Sequence, residues 1–144
     1  MKKLINTAFV YTLLALVGGV FYREFTKFNG VPGGTSLAFL HLHLMVLGAF
    51  FFLILTLFER QFSLTKDRRF GWFFPVYNVG LGVTAAAFLW RGVLQTLGIQ
   101  PSHGLDASIS GVAGVGHILL AVGLLLLFGI LKRAALRRES RAAR

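Results

Sequence analysis

Three histidines lie inside apolar stretches of this 144-residue chain: His41 and His43 in Ser-Leu-Ala-Phe-Leu-His-Leu-His-Leu-Met-Val-Leu-Gly, and His117 in Gly-Val-Ala-Gly-Val-Gly-His-Ile-Leu-Leu. Ionisable side chains are costly in hydrocarbon and mark functional sites there by default. Imidazole is a normal ligand of heme iron, copper and zinc. Residues two apart on an α-helix point roughly 200° from one another, so one helix would present His41 and His43 to two different sites. Met45 follows His41 by four residues on the same face; its thioether suits Cu(I), although packing is its commoner role. His103 and Asp106 form a further possible pair in an outer loop, but two donors are too few for a metal site.

The plainer alternative is that all three imidazoles make interhelical hydrogen bonds. An unpartnered buried polar group costs about 1–3 kcal/mol, whereas an interhelical hydrogen bond in lipid returns about 0.6 kcal/mol on average. Three such residues therefore call for a stronger partner. Counted from the outer ends of their helices, His43 is about seven residues in and His117 about eight, placing both about 10–12 Å deep at 1.5 Å per residue. His41 lies within one turn of that layer. Small residues share these faces, Ala113, Gly114 and Ala121 near His117, Gly48 near His41. Glycine beside imidazole gives the slot a heme plane needs, although glycine also simply lets helices approach. Arg91, with Arg23 and Lys27, lies on the same outer side, where heme propionates would emerge.

The elements that must hold these residues follow from hydropathy. More than half of the chain is hydrophobic, with 15 phenylalanines. Four apolar stretches of about 20 residues match the bilayer core. They predict an all-α integral membrane four-helix bundle, one domain over residues 1–144, with helices at about 4–22, 36–58, 72–94 and 109–131. Helix 1 shows a stripe of Thr7, Tyr11, Ala15, Gly18 and Tyr22 toward its neighbours. Asn-Gly-Val-Pro-Gly-Gly, at 29–34, ends it, and Thr35 or Ser36 caps helix 2. Pro75 falls in the first turns of helix 3, and Asn78, Gly82 and Ala85 share one of its faces.

The formal charge of +10 describes topology rather than nucleic-acid binding. Lys2, Lys3, Arg60, Lys66, Arg68, Arg69, Lys132, Arg133, Arg137, Arg138, Arg141 and Arg144 fall on one side of the four spans. The positive-inside rule puts that side, with both termini, in the cytoplasm. The basic tail then anchors on anionic lipid. Lys2-Lys3 before an apolar run also suggests a signal peptide, but no Ala-x-Ala site follows, so helix 1 is expected to be a permanent span. Without cysteine there is no thiolate ligand and no covalent heme attachment. Glu24, Glu59, Asp67, Asp106 and Glu139 all lie outside the spans, so paired-carboxylate chemistry is absent.

The string His41-Leu-His43-Leu-Met-Val-Leu47-Gly48 resembles the His-x-His-x-x-x-Leu-Gly motif of the heme–copper oxidase and nitric oxide reductase superfamily, particularly its C-type members. The resemblance implies that His41 and His43 both ligate heme, on opposite sides of one helix. The chain as a whole also resembles a family of small four-helix bacterial membrane proteins, which implies a multi-pass protein of the bacterial inner membrane. The superfamily's paired His-His of the copper centre is missing, so full oxidase or reductase activity is not expected.

The resulting expectation is non-covalent heme b held by His41, His43 and His117, with Arg91 at the propionates, in a cytochrome b-like unit for electron transfer or for gas or heme sensing. A copper or zinc site is the alternative, and a cofactor-free assembly factor a further one. Because His41 and His43 face opposite ways, a single bundle is expected to leave one of them toward lipid. A homo-oligomer, by the superfamily's threefold plan a homotrimer, would let His41 of one chain and His43 of the next share a heme. Pairing of His117 with one helix 2 histidine inside each chain would make a dimer or monomer acceptable.

Overall fold

The computed structural model describes residues 1–31 and 33–142, the last two by backbone alone; Pro32 of the predicted turn, Arg144 and the side chain of Arg141 lie outside the described residues. Four helices account for nearly all of it: α1 (Lys2–Phe28), α2 (Ser36–Phe62), α3 (Phe70–Thr96) and α4 (His103–Ala142). Each is long and apolar enough to cross a membrane. The outward faces carry residues such as Val17, Leu125 and Phe128, 68%, 73% and 66% exposed, as a lipid-contacting surface requires. The chain is a four-helix membrane protein.

Every helix is longer than its apolar run. α1, α2 and α3 each have 27 residues, about 40 Å at 1.5 Å per residue, against about 30 Å of hydrocarbon. Arg23 and Lys27 are therefore on α1 rather than in a loop. The α1 end is closed by Asn29, whose Nδ2 donates to the Phe25 carbonyl at 2.8 Å, and by Gly30 at φ +65°. The largest departure is at α4. His103 and Asp106, expected in a loop, form its first turn, because the Ser102 hydroxyl accepts from the Leu105 N–H at 3.3 Å and the Ser102 carbonyl from the Asp106 N–H at 3.0 Å. An aspartate in a first turn also suits the helix dipole.

Thr35 is the residue before α2, but its hydroxyl is buried without a partner. The side chain of Gln95 on α3 accepts from the Ser36 N–H instead, at 2.7 Å. The two helices are thus tied at their outer ends.

α2 runs between α1 and α3, and α4 packs along α3 as the most intimate pair. Their seam is backbone against backbone: a Cβ on Gly80 would lie 2.8 Å from the Leu120 nitrogen, and one on Gly116 2.8 Å from the Thr84 nitrogen. Small residues that let helices approach replace the hydrophobic drive that lipid cannot supply. Tyr11, Ala15 and Gly18 of the α1 stripe are buried as expected. Gly48 differs from expectation: a Cβ there would lie 2.7 Å from Tyr11 Cβ, so the glycine is filled by Tyr11 and leaves no slot.

α2 is not a uniform α-helix. Leu44–Phe50 forms a π-helical segment directly after His43. Such wider turns are rare and occur often beside functional sites. The Tyr77 hydroxyl of α3 donates to the Leu47 carbonyl inside this segment at 2.9 Å. Beside it, Tyr11 donates to Asn78 Oδ1 at 2.8 Å, and Asn78 Nδ2 donates to the Phe74 carbonyl at 2.7 Å. These bonds join α1, α2 and α3 below the histidine layer.

Candidate functional site

His41 and His43 occupy the last α-helical turn of α2 before the π segment and are both half-buried. His41 turns toward α1. Its Nδ1 lies 2.8 Å from the Ala15 carbonyl, and the ring has room because Gly19 stands opposite; a Cβ on Gly19 would come within 2.9 Å of that nitrogen. His43 turns the other way, toward α3 and α4. The opposed directions expected from helical spacing are therefore present. Their consequence differs from expectation: α2 has protein on both sides, so a single chain leaves neither histidine wholly to lipid.

The structure brings His43 and His117 together. Their ring centroids are 6.1 Å apart with the planes at 83°, which places the two residues in one layer directly. Phe88 of α3 lies beside both, 4.7 Å from His43 and 6.2 Å from His117, and Phe39 lies 5.8 Å from Phe88. Two imidazoles from different helices thus stand over an aromatic floor. His117 is exposed on the outside of the single chain, where hydrocarbon would surround it.

Tautomers follow from the acceptors. His43 Nδ1 is 2.8 Å from the Phe39 carbonyl and His117 Nδ1 is 2.7 Å from the Ala113 carbonyl. A backbone carbonyl only accepts, so in all three histidines Nδ1 carries the proton and Nε2 keeps its lone pair. That is how ligating histidines are normally oriented, the second ring nitrogen tied to a carbonyl or carboxylate.

Among the described residues no group of three or more His, Cys, Asp or Glu side chains could hold a metal ion. The site in one chain has two nitrogen donors. With metal–imidazole bonds of about 2.0–2.1 Å, two rings on one metal have centroids roughly 5–6 Å apart. The 6.1 Å between His43 and His117 lies just above that range. On α4, Gly111 and Gly114 face open space, one to two turns outward of His117.

The remaining candidates stand apart from this pair. Arg91 Nη2 is engaged by Asp106 Oδ1 at 2.8 Å, the Asp106 carbonyl at 3.2 Å and Ser110 Oγ at 2.9 Å, so the residue clamps the outer ends of α3 and α4. It lies one turn outward of Phe88. His103 is exposed and lines, with Arg91 and Asp106, an open recess of about 660 Å³. The Asp106 carboxylate is already on Arg91. Met45 lies in the π segment and packs against the core. Phe88, Tyr77 and the π segment itself were not foreseen; Phe88 is one phenylalanine among 15 and has no motif to mark it. Asn78, with Tyr77 next to it, is the polar signal within helix 3 that points there.

Residues 1–134, most of the chain, match one protein family, described as Protein of unknown function (DUF2871). No curated protein and no solved structure matches the chain. The four-helix protein with its facing pair of membrane histidines belongs to the DUF2871 family.

Proposed function

We propose that the protein binds heme b non-covalently in the membrane, with His43 and His117 as the residues that would hold it, and serves as a small cytochrome b-like unit for electron transfer or for gas or heme sensing. The observation that carries this reading is the meeting of two imidazoles from different helices, each with Nδ1–H on a carbonyl and Nε2 bare. Ligand number favours heme over a bare ion. A porphyrin brings four equatorial nitrogens of its own, so two imidazoles complete the iron. Zinc would need one or two further protein ligands.

When bound, the heme would supply a one-electron iron couple, and everything else falls to the chain. Phe88, 4.7 Å from His43 and 6.2 Å from His117, stands where the porphyrin edge would lie and would have to rotate aside to admit it, with Phe39 next to it. The Phe39 and Ala113 carbonyls hold each imidazole in the tautomer that leaves Nε2 free to ligate. Arg91, one turn outward, is placed to meet a propionate if it exchanges one of its Asp106 contacts. The proposed orientation has both termini and the α2–α3 linker in the cytoplasm and the histidine layer in the outer half of a bacterial inner membrane. A homo-oligomer would cover the exposed His117 edge. Pairing within one chain removes the need for a ligand shared between subunits, so a dimer serves as well as the trimer suggested by the heme–copper resemblance.

The absorption spectrum of the purified protein, oxidised and dithionite-reduced, tests the reading. A Soret band with sharpened bands on reduction is expected. Protein that stays colourless after expression with ample heme would sink it. One observation favours a second reading: two neighbouring imidazoles with Nε2 free also suit Cu(I), which accepts low coordination numbers. Copper retained in stoichiometric amount by colourless protein would select it.

A further inference from the structure

At the opposite end of the bundle from the histidines, the end that carries both termini, a pocket of about 480 Å³ opens between the α2–α3 linker and α4. Its polar wall is Lys66, Arg137 and Arg138 with Gln61 and Ser63, and Phe62 forms its apolar side. Of the nearby carboxylates, Glu59 turns to Thr65 and Asp67 shares Arg137. Glu59 accepts from the Thr65 N–H at 2.8 Å and from the Thr65 hydroxyl at 2.5 Å. Asp67 accepts from the Arg69 N–H at 3.0 Å and meets Arg137 at 3.3 Å. Among the described residues the lining holds three cations and no acidic residue, which makes the pocket positive.

Its shape continues into the hydrocarbon. The Arg138 guanidinium lies over the Phe62 ring, 5.8 Å from its centroid, and Phe62 stacks on Phe58 at 6.2 Å, one turn deeper on α2. Phe58 is exposed. A positive head region thus leads down an aromatic ladder to an apolar surface.

We infer that this pocket is a binding site for one anionic phospholipid, its phosphate held by Lys66, Arg137 and Arg138 and an acyl chain lying along Phe62 and Phe58. Basic recesses between membrane helices recognise anionic headgroups in this way, and guanidinium pairs well with phosphate oxygens. A free phosphate would use the cations but gain nothing from the phenylalanines. The site is independent of the histidine pair. Its occupant would fasten the α2–α3 linker to the projecting end of α4.

Native mass spectrometry of the delipidated protein in detergent, titrated with phosphatidylglycerol or phosphatidylcholine, tests the assignment. One phosphatidylglycerol per chain is expected to bind at least tenfold more tightly than phosphatidylcholine. Lys66→Gln combined with Arg138→Gln should remove that preference. Lys132→Gln combined with Arg133→Gln takes away the same charge outside the pocket and should change the preference less than twofold. Equal loss in the two double variants would show diffuse attraction to a basic surface and overturn the inference. Displacement of phosphatidylglycerol by an equal concentration of inorganic phosphate would overturn it as well, since the site would then belong to the free anion.

Discussion

The α1–α2 seam at His41 and the α2–α3–α4 face at His43 and His117 use the same side chain in the same tautomer for different ends. His41 donates across the seam to Ala15 of another helix, so its hydrogen bond holds two elements together. His43 and His117 each donate to the carbonyl four residues earlier in their own helix. Those bonds orient the rings and add nothing to tertiary stability. A histidine that fastens no neighbour, yet stands beside another in the membrane, is what the proposed function accounts for. Under that proposal the contrast separates a strut from a pair of ligands, a distinction that apolar context and spacing alone do not make.

The largest expected effect breaks the contrast open. His43→Ala or His117→Ala should abolish heme binding, read as loss of the Soret band after reconstitution. His41→Ala should keep the band and lower the melting temperature, its hydrogen bond contributing about 1 kcal/mol. Loss of the band in His41→Ala with retention in His117→Ala would reverse the two roles.

Next in size is overpacking of the seam that carries the strut. Gly48→Ala would press a Cβ against Tyr11, with a cost of about 1–3 kcal/mol. Gly114→Ala, on the ligand face, meets nothing and should leave stability unchanged. Thermal unfolding in detergent compares the two. Equal destabilisation would mean that the ligand face is closed as tightly as the seam.

The π segment links both regions. Tyr77→Phe removes the donor to the Leu47 carbonyl and should cost about 1 kcal/mol. In the heme-bound protein it should also shift the spectrum slightly, because His43 immediately precedes that segment. A destabilised protein with an unchanged spectrum would limit Tyr77 to packing.

The smallest effect lies far from the histidines. The Arg69 backbone N–H, aided by Arg137, holds the Asp67 carboxyl below the usual carboxylate range. A carboxyl lowered in the folded state contributes stability above its unfolded value and loses it as pH falls through the folded one. Wild type and Asp67→Asn should therefore differ slightly at neutral pH and converge below about pH 4, the ordinary carboxyl range. A difference that persisted in stronger acid would place its origin elsewhere.

The number of spans and the shared layer of His43 and His117 were legible because both follow from bilayer thickness and helical rise. Helix ends were not, since hydropathy reports where hydrocarbon stops and not where backbone hydrogen bonding stops; His103 and Arg23 are helical for that reason. The opposed directions of His41 and His43 were readable from their spacing. That both would find protein in one chain was not, because it depends on α2 running between α1 and α3. The π segment is set by bonds from α3, and no local residue pattern announces it. Gly48 illustrates the ambiguity of a small residue: the same glycine reads as open space or as a berth until the facing side chain, here Tyr11, is known.

Electron paramagnetic resonance of the ferric, heme-reconstituted protein tests the His43–His117 pair most directly. Two imidazole ligands predict a low-spin signal at one heme per chain, lost together with the heme in His117→Ala and unchanged in His41→Ala. A wild-type signal that is high-spin, or a low-spin signal that survives His117→Ala, would contradict the pairing.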